Sequence, residues 1–284
     1  MNNGTCLCGD ITWEVSGDFT MLVNCHCSIC RKVHGSAYGT FVAAPGANFR
    51  WTSGKNKIAN YASSDKGVRP FCPRCGSVVA SVLNGDGFMP AGNMDGPIDR
   101  PLDSHIFVGD KACWYEISDN APCFDAYPPA HEVPATERPE RPAQTPGAVG
   151  GSCDCGKVAF EFDGPGIRMG YCHCSRCRKA RSAAFSTQVF APIEKFRWIR
   201  GEDNVRHYKI EETKHFITSF CADCSSPLPR AFEEFEVFMV PASSLDQDPG
   251  VRPEAHIYVD SIAPWHQIND DLPQFEEMPP TREA

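Results

Sequence analysis

The hydrophobic residues of this chain occur in short runs that are rich in β-branched and aromatic side chains and are bounded by glycine, proline and aspartate. Such runs are typical of β-strands. The clearest are DITWEV (10–15), AYGTFVA (37–43), FRWTSG (49–54), SVVASVL (77–83), KVAFEF (157–162), AFSTQVF (184–190) and EVFMVPA (236–242). Helical periodicity is scarce, and the best short-helix candidates are CSICRKVHG (27–35) and CSRCRKARS (174–182). The pattern predicts a mainly β fold.

The second half of the sequence repeats the first. The repeated segments are TCLCG (Cys6, Cys8) and SCDCG (Cys153, Cys155), NCHCSICRK (Cys25, Cys27, Cys30) and YCHCSRCRK (Cys172, Cys174, Cys177), and FCPRCG (Cys72, Cys75) and FCADCS (Cys221, Cys224). The register continues into HIFVGDKACW and HIYVDSIAPW, where His105 matches His256 and Trp114 matches Trp265. Self-similarity in the same order indicates one domain duplicated in tandem.

The length of 284 residues is compatible with two domains, each large enough to bury its own core. We place the first domain at residues 1–126 and the second at residues 151–277. Residues 127–150 contain six prolines and almost no apolar periodicity, which predicts an extended linker. This linker is long enough for the two halves to pack face to face as an intramolecular pseudo-dimer, so we expect a monomer.

The composition limits the partners, the location and the cysteine chemistry to be expected of this protein. The chain has 27 Lys and Arg against 36 Asp and Glu, a formal charge of −9, which repels a phosphate backbone and argues against nucleic acid as a partner. It has no 18-residue apolar run and no export signal at its start, so we expect a cytoplasmic protein without membrane insertion. In a reducing compartment, 16 cysteines at C-x-C and C-x-x-C spacing favour metal sites over disulfides.

The flanking cysteine pairs predict two structural zinc sites. Cys6 and Cys8 with Cys72 and Cys75 form two chelating pairs that are far apart in sequence, as in a tetrahedral site with four thiolate ligands. Such an ion would tie the N-terminal strand to the segment before SVVASV. By the same argument, a second ion lies between Cys153, Cys155, Cys221 and Cys224. The alternative is a set of free core thiols.

The two cysteine triplets predict a different kind of metal site. Each triplet has three thiolates and no fourth cysteine assigned to it, and three protein ligands with an open position are the pattern of catalytic zinc. His26 and His173 point to the opposite face of an extended segment, so we do not count them as ligands. His34 could close the first site as a fourth ligand, but its counterpart Arg181 could not.

Other residues have a structural explanation. Cys113 or Cys123 could supply a fourth thiolate, but neither has a cysteine twin, and lone cysteines are usually core residues. His105 and His256 lie in strand-like segments, where a structural histidine is more common than a catalytic one. We expect four tryptophans to lie in the core, namely Trp51, Trp114, Trp198 and Trp265.

The motifs CxCG, CHCxxCRK, RxFCxxCG and HIFVxxKxxWYEI resemble those of the glutathione-dependent formaldehyde-activating enzyme family, which also includes centromere protein V. The resemblance covers both halves. It implies a β-tent fold with two zinc ions in each domain, one structural with four cysteines and one catalytic with three. It also implies carbon–sulfur chemistry on a glutathione adduct, such as forming or cleaving S-hydroxymethylglutathione.

That chemistry needs compensating positive charge, because three thiolates on Zn²⁺ already leave a net negative charge. Arg31 and Lys32 follow the first triplet, and Arg178 and Lys179 follow the second. Arg69 could add to this charge or bind a substrate carboxylate. We expect the catalytic set to be Cys25, Cys27, Cys30, Arg31 and Arg69.

The second half departs from the family pattern. Thr218 stands in the register of Arg69, and Ser182 and Ser225 replace Gly35 and Gly76. We therefore expect the first half to carry the working site and the second to complete the pseudo-dimer. The competing hypothesis is a non-catalytic, zinc-stabilised interaction module. The electrophile and the direction of the reaction stay open at this stage.

Overall fold

The structure is a computed structural model, and it describes residues 1–65, 67–129, 139–143 and 145–279. It confirms a mainly β chain made of two similar tandem domains. The two α-helices among these residues lie where the periodicity predicted them, at Ser28–His34 and Ser175–Arg181. None of the described helices has both the length and the apolar composition needed to cross a bilayer.

The elements of the first half are β1 (Asn2–Thr5), β2 (Thr12–Val15), β3 (Met21–Cys25), α1 (Ser28–His34), β4 (Gly39–Ala44), β5 (Phe49–Ser53), β6 (Ala59–Ala62), β7 (Val68–Phe71), β8 (Ser81–Leu83), β9 (Asp86–Pro90), β10 (Ser104–Ile106) and β11 (Cys123–Phe124). Those of the second half are β12 (Ala148–Ser152), β13 (Ala159–Asp163), β14 (Arg168–Cys172), α2 (Ser175–Arg181), β15 (Ser186–Pro192), β16 (Phe196–Arg200), β17 (Val205–Lys209), β18 (Ile217–Cys221), β19 (Arg230–Phe232), β20 (Val237–Pro241), β21 (Pro253–Ile257) and β22 (Gln274–Phe275). Short 3₁₀ turns cover Gly46–Asn48, Lys55–Lys57, Ala91–Asn93, Val108–Asp110, Ile193–Lys195, Glu202–Asn204, Glu233–Phe235, Ala242–Ser244 and Val259–Ser261.

A six-stranded sheet forms the body of each half. Its strand order is β11-β10-β3-β4-β9-β8 in the first half, and the second half repeats it as β22-β21-β14-β15-β20-β19. Smaller sheets, β1-β2-β5 with β6-β7 and β12-β13-β16 with β17-β18, complete the two domains. The central strand β3 ends at Cys25, the first cysteine of its triplet, and α1 begins three residues later. The sheet therefore fixes the start of each triplet.

The aromatic side chains of the strands build the two cores. Trp13 is buried at the centre of the first, against Trp51 at a ring distance of 5.9 Å. The second core reaches across the domain boundary, because the buried Tyr38 of the first half packs on Phe185 of the second, with ring centres 5.6 Å apart. Of the tryptophans predicted to be buried, Trp114 is, whereas the other three are half-buried against the cores.

Each α-helix packs against a turn of the other half: α1 on Ala242–Ser244 and α2 on Ala91–Asn93. Lys32 of α1 is only 4% exposed, and its Nζ donates to the backbone oxygens of Ser152 at 2.7 Å and Ser244 at 3.0 Å. It also pairs with Asp246 at 2.7 Å. A buried ammonium with this many acceptors ties α1 firmly to the second half.

The reverse contacts tie α2 to the first half. The Nη1 atom of Arg178 donates to the backbone oxygens of Gly92 at 3.2 Å and Met94 at 3.1 Å, and Lys179 pairs with Asp95. The approach is close, since a Cβ added to Gly92 would lie 2.1 Å from the backbone nitrogen of Ala183. The two halves thus form a tightly packed pseudo-dimer.

Part of the predicted linker packs on the second half. Arg141 donates from Nη1 to the Ser152 hydroxyl at 3.0 Å and to the Cys153 carbonyl at 2.7 Å. Strand β12 begins at Ala148, three residues before the predicted start of the second domain. Residues 130–138 and 144 lie outside the described residues. The exact domain boundaries stay a prediction.

The burial of Lys32 predicts an asymmetric effect of removing the two interface lysines. Lys32→Met removes the nearest counter-charge of the partly buried Asp246 and leaves Arg141, at 3.8 Å, as its other cation, so we expect the free energy of unfolding to fall by about 3 kcal/mol. Lys179→Met is the matched control, because the side chains of Lys179 and Asp95 are 17% and 41% exposed. Its loss should stay within about 1 kcal/mol. Chemical denaturation of both variants measures the difference, and equal losses would contradict the assignment.

Candidate metal centres and their surroundings

The flanking cysteine pairs of the first half come together in one cluster. The sulfur atoms of Cys6, Cys8, Cys72 and Cys75 all lie within 4.8 Å of one another. Cys8 lies 3.5 Å from Cys6 and 3.6 Å from Cys72, measured between Sγ atoms. Four thiolates around zinc, with Zn–S bonds of about 2.3 Å, would be separated by about 3.8 Å. The sulfur positions therefore suit a tetrahedral zinc.

The second half repeats this arrangement with Cys153, Cys155, Cys221 and Cys224. Here Cys155 lies 3.5 Å from Cys153 and 3.8 Å from Cys221. In both halves, the cluster joins the turn after the first strand to the turn after the β6-β7 or β17-β18 hairpin. These segments are far apart in sequence, so a metal here would stabilise the fold directly.

The two triplets form the remaining cysteine clusters among the described residues, Cys25 with Cys27 and Cys30, and Cys172 with Cys174 and Cys177. In each, the middle cysteine precedes the helix and accepts a hydrogen bond on its sulfur from the backbone N–H of the third. The N···S distances are 3.4 Å in the first half and 3.3 Å in the second. Backbone donors of this kind stabilise a thiolate and keep it available as a ligand.

None of the fourth ligands considered from the sequence joins the first triplet. His34 carries its proton on Nδ1, which donates to the backbone oxygens of Arg181 at 3.2 Å and Ser182 at 3.0 Å. Its other nitrogen lies outside the sulfur cluster. Cys113 and Cys123 are exposed, so the expectation that they are core residues is wrong. Within the described chain, no histidine, cysteine or carboxylate adds a fourth ligand atom to either triplet.

A buried chain of hydrogen bonds runs behind the first triplet. Nε2 of His26 lies 2.8 Å from Nδ1 of His105, and Nε2 of His105 lies 3.0 Å from a carboxylate oxygen of Asp119. Because a carboxylate only accepts, His105 carries its proton on Nε2 and accepts on Nδ1. His26 then donates from Nε2, which leaves a lone pair on its buried Nδ1. Neither ring nitrogen of His26 joins the sulfur cluster of Cys25, Cys27 and Cys30, which agrees with leaving His26 out of the ligand set.

The same chain recurs in the second half through His173, His256 and Asp270, with distances of 2.8 Å and 3.0 Å. His105 and His256 are therefore buried, hydrogen-bonded histidines, which fits the structural explanation. The two aspartates were not predicted. Their signal is present in the sequence, since each follows its histidine by 14 residues in both halves.

Arg69 is the main cation beside the first triplet. It lies on β7, and its buried Nε has no hydrogen-bond partner among the described residues. The sulfurs of Cys25 and Cys30 lower the pKa of Cys27, and the charge of Arg69 acts in the same direction. Arg31 is anchored beside the triplet, where its Nε donates to the carbonyl of His26 at 3.2 Å.

The other predicted cations contact the opposite half. Lys32 does not serve the first triplet, because its ammonium is held by Asp246 of the second half. Arg178 and Lys179 likewise extend into the first half. The expectation of charge compensation is therefore wrong for Lys32 and Lys179, which pair with aspartates. Burial lowers the pKa of Arg178, and the charge of Cys174 in the second triplet opposes that shift, so Arg178 still acts on its triplet. These residues do follow the cysteines in sequence, but the helices direct their side chains toward the interface between the halves.

Comparison with known proteins gives one family. The family model "Glutathione-dependent formaldehyde-activating enzyme" matches residues 1–110 and 148–261. A protein of Halomonas elongata named "Putative glutathione-dependent formaldehyde-activating enzyme" is 28% identical over 140 residues, which covers 44% of this chain and 87% of the relative. A crystal structure of a Rhodobacter sphaeroides protein is 23% identical with a TM-score of 0.28, covering 34% of this chain and 92% of that chain. At that score, the likeness supports no conclusion.

The geometry predicts four zinc ions per chain, with the two triplet ions the more labile because they have one protein ligand fewer. Elemental analysis during stepwise chelation should show two ions released before the other two. Cys75→Ser should lower the zinc content by one and destabilise the fold strongly, whereas Cys27→Ser should lower it by one with a smaller loss of stability. Two tight ions and none at the triplets would refute this picture.

The burial of His26 and His173 predicts that these two histidines stay neutral in mildly acidic solution. Burial lowers the pKa of His26 to about 3 and that of His173 to about 2. Unfolded histidines would bind protons below about pH 6.5, so burying these two destabilises the fold as the pH falls below that value. Nitrogen NMR of the folded chain should show both in the Nε2–H form down to pH 5.

Asp119→Asn tests this tautomer assignment, since an amide can donate as well as accept. The histidines hydrogen-bonded to residue 119 should then show mixed tautomers. The histidines hydrogen-bonded to Asp270 should keep their signals and serve as the internal control. A proton on Nδ1 of His26 in the unmodified protein would overturn the assignment.

Proposed function

Because this chain belongs to the glutathione-dependent formaldehyde-activating enzyme family, we propose that it is a zinc-dependent enzyme that forms or cleaves a carbon–sulfur bond in a glutathione adduct such as S-hydroxymethylglutathione. The family match covers most of both halves. The named relative from Halomonas elongata supports the same substrate class. In the terms of enzyme classes, the activity is that of a carbon–sulfur lyase.

The observation that carries the proposal is the pair of three-cysteine clusters beside the closed four-cysteine clusters. A protein that used zinc only to stabilise its fold would hold each ion with four protein ligands. Zinc bound by three thiolates would act as a Lewis acid toward a substrate sulfur, favouring the thiolate that both addition to an aldehyde and cleavage of the adduct require. The same site then serves either direction of the reaction.

The residues around the first triplet support this role. As zinc-bound thiolates, Cys25, Cys27 and Cys30 would bring three negative charges together in a largely buried site. Arg69 counters that charge, and its unpartnered Nε leaves a donor for an anionic group of the substrate. Arg31 fixes the backbone between the first two cysteines of the triplet. Arg69 and Arg31 thus hold the charge and the shape of the site.

We assign the glutathione-adduct activity to the first half. After the sulfurs of Cys25 and Cys30, the charge of Arg69 also lowers the pKa of Cys27. Burial raises the pKa of Tyr127, and the charges of the first triplet act in the same direction. Thr218 replaces that arginine in the second half, and Met278 stands in the register of Tyr127. The competing function is a zinc-stabilised interaction module. The large contact between the halves favours it, because this contact needs no catalytic activity to explain it.

The division of labour predicts unequal effects of removing one cysteine from each triplet. Cys27→Ala should abolish turnover of the glutathione adduct, whereas Cys174→Ala should keep most of it. Arg69→Gln should lower kcat/KM by about 10- to 100-fold, since loss of one charge contact in a largely buried site is worth about 1–3 kcal/mol. The control for this last variant is Arg50→Gln, because Arg50 pairs with Glu14 at the surface.

Mass spectrometry of a panel of glutathione adducts, incubated with the zinc-loaded chain, supplies the assay. Turnover that stops after treatment with a chelator supports an enzyme. Equal losses in the two cysteine variants would refute the assignment to the first half. If no adduct reacts while the zinc content stays complete, the interaction module is the better description.

A further inference from the structure

The β6-β7 hairpin of the first half reaches into the second half. Tyr61 of β6 packs against the hydrophobic core of the second half. The reverse contact comes from Tyr208 of β17, which packs against the core of the first half. Each hairpin therefore completes a core that belongs mainly to the other half, and its position depends on the residues that it meets there.

The hydroxyl of Tyr61 meets a carboxylate in the structural cysteine cluster of the second half. It donates to Asp154 at 2.8 Å, and Asp154 stands between Cys153 and Cys155 in the sequence. Asp154 is only 1% exposed, and its backbone N–H donates to the Ser226 hydroxyl at 3.0 Å. A buried carboxylate needs hydrogen-bond donors around it. Tyr61 supplies such a donor, so this bond joins the hairpin to the loop that carries the cysteines.

The first half cannot form the equivalent bond. Leu7 stands in the register of Asp154, and Tyr208 stands in that of Tyr61. A leucine side chain has no acceptor atom for the hydroxyl of Tyr208. The ring centre of Tyr208 lies instead 5.7 Å from Cζ of Arg74. The bond between hydroxyl and carboxylate is thus specific to one of the two hairpins.

That hairpin is the one that carries Arg69. In the register of β6 and β7, Tyr61 lies directly opposite Arg69. In the register of β17 and β18, Tyr208 lies opposite Thr218. The hairpin with the bond therefore has the arginine, and the hairpin without the bond has a threonine at that position. If the bond served folding alone, both hairpins would be expected to need it equally.

Strand β7 lies beside the first triplet. Phe71, at the end of the strand, forms a β-bridge with Val78, and Val78 packs with two apolar residues of α1 and against Cys27. Arg69 precedes Phe71 by two residues in the same strand. The buried Nε of Arg69 has no hydrogen-bond partner among the described residues, so no bond at this atom holds the guanidinium. Its position depends on the backbone of the hairpin.

We propose that Tyr61 is a positioning residue for the first centre, and that its bond to Asp154 uses the structural cysteine cluster of the second half to hold Arg69 in place. This inference rests on the proposed function, because it requires Arg69 to serve a reaction at the first triplet. The second half then supports the chemistry of the first without contacting the substrate.

Two substitutions remove the bond, one from each end. Tyr61→Phe removes the hydroxyl, and Asp154→Leu copies the first half, which has leucine at this position. In the zinc-loaded full-length chain, each should lower kcat/KM for the glutathione adduct by about 3- to 10-fold, because a misplaced charge stabilises the reaction less well. Asp154→Asn keeps an acceptor oxygen and should keep most of the activity. Tyr208→Phe is the matched control and should leave kcat/KM unchanged.

A combined variant separates positioning from a loss of stability. If Tyr61 acts through Arg69, Tyr61→Phe should lower kcat/KM no further in a chain that already carries Arg69→Gln. Its effect on the denaturation midpoint should be the same in both chains, since both lose the same hydrogen bond. Denaturation of Tyr61→Phe, Asp154→Leu and their combination checks the bond itself, because the combined loss should be smaller than the sum. If Asp154→Leu does not fold, Tyr61→Phe and Arg69→Gln carry the test alone.

The outcomes separate this inference from the proposed function. If Tyr61→Phe leaves kcat/KM unchanged, if its effect adds in full to that of Arg69→Gln, or if Arg69→Gln has no effect of its own, the inference fails while turnover by the unmodified chain upholds the proposed function. If the unmodified chain turns over no adduct, the proposed function fails and the inference fails with it. A loss in Tyr61→Phe that disappears in the Arg69→Gln chain, with Tyr208→Phe unchanged, supports both.

Discussion

The structure depends on the reciprocal insertion of one short helix from each half into the other half. The helix α1 carries both Cys30 of the first triplet and Lys32, whose ammonium is buried against Ser152, Ser244 and Asp246. A helix of seven residues is marginal by itself, so its position is set by what it packs against. The geometry of each cysteine triplet is therefore a property of both halves.

The four-cysteine clusters take part in the same arrangement. Ser77, two residues after Cys75, accepts a hydrogen bond from the backbone N–H of Leu7 at 3.1 Å and donates to the carbonyl of Lys179 at 2.9 Å. The first structural cluster thus contacts α2, the helix of the other half's triplet. Together with the buried histidines, these contacts hold each triplet from several sides, which suits a site whose metal has few protein ligands.

The sequence predicts the local features well and the contacts across the halves poorly. Chelating spacing, strand pattern and both helices depend on residues within a few positions, so the clusters around Cys27 and Cys174 were found. The direction of Lys32 was not, because its acceptors lie more than 100 residues away and belong to another domain. Thr218 in place of Arg69 suggested that the second half had lost a charge. Aligning the two halves position by position does not show that Arg181 contacts Thr218 and supplies a guanidinium there.

The close fit of Arg181 against Gly35 restricts which two halves can pack against each other. A Cβ on Gly35 would lie 2.6 Å from Cδ of Arg181, so the arginine requires a glycine opposite it. The position equivalent to Gly35 in the second half is Ser182, which uses its hydroxyl to bond Val78 of the first half at 3.0 Å. Two copies of the second half could not meet in this way without a steric clash. Duplication has thus produced complementary surfaces, and a symmetric homodimer of the second half would not be equivalent to the chain.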